Sequence, residues 1–88
     1  MNKFMIPPYF PTLIKKAKKL IQEQTYSTVD GIATRLMGES DYVSPVYARL
    51  AAELAMNELH DKGVGIYFKK IETNGAPLFK CLGDEKED

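Results

Sequence analysis

The 88-residue chain has no tryptophan, one histidine, His60, and one cysteine, Cys81. A lone cysteine forms no internal disulfide, so covalent stapling is excluded and a reducing, intracellular setting is expected. His60 and Cys81 lie far apart in sequence, and there is no Cys-x-x-Cys, His-Glu-x-x-His or glycine-rich phosphate loop. That removes the usual metal ligand sets and nucleophile–base pairs, so the chain is expected not to be an enzyme and to need no metal or cofactor. His60 reads as a cation near a helix end, and Cys81 as a small core residue. A charged n-region followed by an apolar run is missing, as is any apolar run approaching the ~20 residues that cross a bilayer. A cytoplasmic protein, or one inside a host cell if viral, is the expectation. Excess charge is lacking too: 12 basic residues balance 12 acidic ones, so the strongly basic balance that advertises nucleic-acid binding is absent.

What is present is an ordinary globular composition, 44% hydrophobic and 27% charged, outside the range that marks disorder and suited to a single small domain. Charge is nevertheless uneven. Lys15, Lys16, Lys18 and Lys19 cluster in "KKAKK", and the chain ends in the acidic "DEKED", so the body without its tail is mildly basic. "MNKFMIPPYFP" is too proline-rich for a helix and too apolar for a plain linker. The expected organisation is an extended arm over 1–11, a domain over 12–82 and an acidic tail over 83–88. The arm either packs on the domain through Phe4, Tyr9 and Phe10 or meets a partner.

Leu13, Ile14, Ala17, Leu20 and Ile21 recur at helical spacing and predict a first helix over about 12–24, with its lysines on the opposite face. "TYST" interrupts it, and Thr28 is placed to cap a second helix with Asp30 in its first turn. Val29, Ile32, Ala33, Leu36 and Met37 form its buried stripe. Gly31 costs about 1 kcal/mol in a helix relative to alanine, which close helix packing would explain. After the loop "GESDY", Ser44 and Pro45 supply an N-cap and first helical residue, and a third helix runs to Lys62 and stops at Gly63. Its face of Ala48, Ala51, Ala52, Ala55, Met56 and Leu59 allows close approach of another helix. "IYFKKIE" and "APLFKCL" predict two strands joined at Asn74-Gly75, the preferred centre of a two-residue hairpin turn.

This order of elements, with "TVDGIATRL" as a second helix and "AMNELHDKGVGI" as the end of a third, resembles the winged helix-turn-helix superfamily over about residues 12–82; no individual family within it is singled out. The resemblance implies an α+β fold, a three-helix bundle with a C-terminal β-hairpin wing. It also implies a DNA-binding regulator of transcription or replication, of viral, plasmid or prokaryotic kind, with double-stranded DNA as partner and a possible homodimer. Two departures stand out. "MGESDYVS" is longer than the tight turn of a compact helix-turn-helix, and Leu50 and Leu54 fall off the alanine face of the third helix. The arm, the first helix or a second copy must cover these leucines, which makes them candidates for self-association. The alternative function is therefore a protein-recognition module, as a homodimer or as an adaptor in a larger complex.

Carried over by position, the start of the third helix offers Ser44, Val46, Tyr47 and Arg49 to DNA, with Asp41 and Tyr42 just before. Arg49 suits a bidentate contact to guanine, Val46 a thymine methyl, and Ser44 and Tyr47 phosphates. Arg49 is equally suited to an ion pair with Glu53 one turn on. With a turn at Asn74-Gly75, Lys69 pairs across the strands with Lys80 and Tyr67 with Leu82, while Ile66, Phe68, Phe79 and Cys81 face the core. Two facing lysines repel; a polyanion would neutralise them, or they splay into water. Tyr67, Lys69 and Lys80 are thus a candidate contact face. Lys15, Lys16, Lys18 and Lys19 are either a solvated face or auxiliary phosphate anchors.

Overall fold

The computed structural model describes residues 7–38, 43–69 and 77–83. It is an α+β arrangement of α1 (Phe10–Gln22), β1 (Tyr26–Ser27), α2 (Val29–Gly38), α3 (Pro45–Asp61), β2 (Gly65–Lys69) and β3 (Pro77–Cys81). The strands form one antiparallel sheet in the order β1-β3-β2.

α1 starts two residues before the expected position, because Pro11 stands in its first turn, where a missing N–H breaks no helical hydrogen bond. Phe10 is thereby drawn into the helix and buried with Leu13, Ala17, Leu20 and Ile21. Its ring meets Tyr47 of α3 edge-on at 5.8 Å, and Tyr9 also packs on the core. Phe4 lies outside the described residues.

α2 begins as its sequence predicts. The Gly31 N–H donates to the Thr28 hydroxyl at 3.0 Å, and the Ile32 N–H to the Thr28 carbonyl at 3.0 Å. Gly31 is exposed rather than pressed against a neighbouring helix. Its missing side chain instead leaves room for the cap, since a Cβ there would stand 3.1 Å from the Thr28 hydroxyl.

α3 is bounded at both ends by the expected devices. Ser44 accepts the Val46 N–H on its hydroxyl at 3.2 Å and the Ala48 N–H on its carbonyl at 2.9 Å. At the other end Gly63 takes φ +78°, the Val64 N–H donates to the Leu59 carbonyl and the Gly63 N–H to the His60 carbonyl, both at 3.0 Å. This paired arrangement closes the carbonyls that a helix end leaves open. Ala48, Ala51, Ala52, Ala55, Met56 and Leu59 are all buried, and they dock α3 against α1 and α2. Leu54 is half-buried against the same core, whereas Leu50 stays exposed.

The β2–β3 register departs from the sequence reading. Ile66 faces Lys80, Tyr67 faces Phe79, Phe68 faces Leu78 and Lys69 faces Pro77, a slip of three residues from the pairing that a turn at Asn74-Gly75 imposes; that turn itself lies outside the described residues. An odd slip turns one strand over relative to the other. β3 keeps its expected facing, with Phe79 fully buried, but β2 is inverted: Gly65 is buried, Ile66 is exposed and Tyr67 turns toward α3. The cause is packing. The Phe79 ring lies on Gly65 so closely that a Cβ at 65 would stand 2.1 Å from it. β1 takes the other edge of β3, pairing Tyr26 with Lys80 and Ser27 with Phe79.

Candidate nucleic-acid interface

The outward side of α3 divides into two halves of different chemistry. In its first two turns Val46 is 68% exposed, and Arg49 and Leu50 are exposed beside it. They point outward because the alternate positions, Ala48, Ala51 and Ala52, are consumed by the core. Further on the exposed positions are Glu53, Asn57, Glu58, His60 and Asp61, so carboxylates accumulate toward the C-terminal end.

Arg49 does not use Glu53. Its Nη1 is paired with Asp30 Oδ1, at the start of α2. The expected partner one turn along its own helix is replaced by one brought across the helix junction. Ser44 is half-buried, with its hydroxyl committed to the cap, and Tyr47 is half-buried with its ring on Phe10. The accessible set at this end is thus Val46, Arg49 and Leu50.

The expected contact face of Tyr67, Lys69 and Lys80 does not assemble as such. Lys69 stands opposite Pro77, so the facing lysine pair is absent. Tyr67 is turned to α3: its hydroxyl donates to Asn57 Oδ1 at 2.5 Å, and its ring contacts His60 at 5.4 Å and Phe79 at 5.0 Å. Burial, reinforced by the carboxylates of Glu53 and Asp61, pushes the Tyr67 phenol above its ordinary value. Lys80 is half-buried on the other side of the sheet, its Nζ 5.9 Å from the centre of the Tyr26 ring, within cation–π range. Tyr26, Ile66 and Leu82 are the exposed apolar groups around it. Cys81 is half-buried rather than in the core, with its thiol 3.2 Å from the Gly83 carbonyl.

The lysines of α1 separate in the same way. Lys18 is mostly covered and pairs with Glu58 of α3 at 2.6 Å, which makes it a clasp between helices. Lys15, Lys16 and Lys19 are exposed and hold no ion pair among the described residues.

Asp30, Glu58, Asn57 and Tyr26 are the partners that sequence reasoning missed. Asp30 and Arg49 are 19 positions apart and Tyr67 and Asn57 are 10 apart, so no local spacing signals either pair; both are products of how α2, α3 and β2 pack. Among the described residues no group of three or more His, Cys, Asp or Glu is placed to hold a metal, and no helix is long and apolar enough to cross a membrane. Compared with known proteins, the chain matches no family model, no curated protein and no solved structure.

Proposed function

We propose that the chain is a winged-helix module that binds duplex DNA through the start of α3, without catalysing a reaction, in the manner of a small transcription or replication regulator. The observation that carries this reading is the outward projection of Val46, Arg49 and Leu50 from a helix start whose opposite face is sealed by alanines. A helix start presents positive dipole and apolar and guanidinium groups together, the combination that a major groove accepts. The order of three helices, a short strand between the first two and an antiparallel pair at the end supports the assignment. Lys15, Lys16 and Lys19 supply the exposed positive charge for the phosphate backbone.

Titration of duplex DNA over a range of salt concentrations tests it. Binding should fall steeply as salt rises. Arg49→Ala should weaken it, and Lys15→Glu with Lys19→Glu should flatten the salt dependence. No binding at about 50 mM salt, where non-specific contacts are strong, would sink the proposal.

A second reading is favoured by a specific observation, the exposure of Leu50 on a helix whose other exposed positions include the carboxylates Glu53, Glu58 and Asp61. In it the same face meets a protein, either a second copy or a larger complex. A concentration-dependent dimer that Leu50→Lys dissociates, together with absent DNA binding, would select it.

A further inference from the structure

We infer that Asp30 is a positioning residue for Arg49, and that the pair selects guanine at one position of a duplex DNA target. The inference rests on the proposed function and names its base specificity. Arg49 is the only lysine or arginine in α3, so any charged reading of a base edge by this helix falls to it. A solvated arginine samples many rotamers, and a base contact must first collect them into one. Asp30 performs that collection: its Oδ1 holds Nη1 of Arg49 from the neighbouring helix.

Asp30 is itself well placed to be rigid. It lies in the first turn of α2, directly after the Thr28 cap, and α2 is fastened to α3 through Ile32, Ala33 and Leu36 against the alanine face. The pair spans two helices, so its position is set by the packing rather than by one side chain. It is also poorly explained as a stabilising device, because the two side chains are 54% and 76% exposed, and exposed ion pairs contribute little to stability.

The geometry leaves Arg49 donors to spare. A guanidinium carries five N–H groups in a planar fork, and one bond to Oδ1 leaves enough for a bidentate contact to guanine O6 and N7. The carboxylates of Glu58 and Asp61 lie at the other end of the helix, so they keep that end off the phosphates, and Glu53, one turn beyond Arg49, marks where the reading turns stop. The target is DNA rather than duplex RNA, whose deep, narrow major groove excludes side chains.

The test is selection from a library of duplex DNA with randomised positions, using the full chain, Arg49→Ala and Asp30→Asn, with thermal melts of each. The wild type should enrich guanine at one position by roughly five- to a hundredfold, the discrimination of one good bidentate contact. Asp30→Asn should cut that preference several-fold while affinity for unselected duplex is kept or raised, since a negative charge is lost. A purely structural role would instead move the melt and leave base preference alone. Guanine preference unchanged or sharpened in Asp30→Asn, or a wild type that binds duplex without it, overturns the inference and leaves the proposed function standing. A wild type that binds no duplex at about 50 mM salt overturns both.

Discussion

The two ends of α3 are built on opposite principles. Its C-terminal half is locked by backbone and packing: Gly63 in the left-handed conformation, Lys18 clasping Glu58, Tyr67 bonded to Asn57, and the Phe79 ring seated on Gly65. In its N-terminal half Ala48, Ala51 and Ala52 are buried and Tyr47 meets Phe10, but the outward side has only a serine cap and one exposed ion pair, and it leaves Val46, Arg49 and Leu50 exposed. The contrast shows which half of α3 ties its outward side to other elements and which half leaves it open. An exposed side chain gains no rigidity from burial, so Arg49 is steadied by Asp30 of the neighbouring helix.

The largest test of that division is Phe79→Ala. Phe79 is fully buried, and its removal should cost about 3–5 kcal/mol by urea denaturation. Gly65→Ala should follow, because the added Cβ meets the Phe79 ring; overpacking of this kind costs roughly 1–3 kcal/mol. Combining it with Phe79→Leu should recover part of the loss, and strict additivity of the two changes would show that the contact does not exist. Gly63→Ala comes next, at about 1–2 kcal/mol, the cost of forcing an L-residue into the left-handed region.

Smaller again is Tyr67→Phe, which removes the bond to Asn57 and should cost ~0.5–1.5 kcal/mol. It also carries a pH signature. The folded phenol is held above its ordinary value by burial and by Glu53 and Asp61. The neutral form is therefore favoured in the fold, and its contribution is full below about pH 10 and lost as pH rises through the folded value. Denaturation at about pH 9 and pH 11 should show wild-type stability falling more than that of Tyr67→Phe; equal slopes would remove the assigned environment. At the small end, Val46→Ser and Arg49→Ala should change stability by no more than about 0.5 kcal/mol while reducing duplex binding. A large fall in melting temperature from either would place the N-terminal half of α3 in the structural rather than the recognition part.

Much of the local structure was legible because it depends on a few adjacent residues. Thr28, Ser44-Pro45 and Gly63 mark helix ends by chemistry that needs no distant partner, and the alanine spacing of α3 states which side is buried. Pro11 is ambiguous by itself, because a proline both ends a helix and occupies a first turn, and here it occupies the first turn of α1. The register of the last two strands was not legible. A turn dipeptide proposed one pairing, while the contact of Gly65 with Phe79, 14 positions apart in sequence, enforced another. The candidate site fared similarly. Val46 and Leu50 stand exposed as the helix spacing implies, but the company of Arg49, Lys18, Tyr67 and Lys80 came from other elements.

The amino-acid order by itself determined the three helices, the caps of α2 and α3, the alanine face of α3 and the burial of Phe79, because each follows from spacing and backbone preference within a few residues. Tertiary structure alone decided that Asp30 holds Arg49, that Glu58 takes Lys18, that β2 lays Tyr67 against α3 and that Lys69 and Lys80 never face each other. Those outcomes depend on how close two backbones come, and closeness is set by the collective fit of the core rather than by any short stretch of chain.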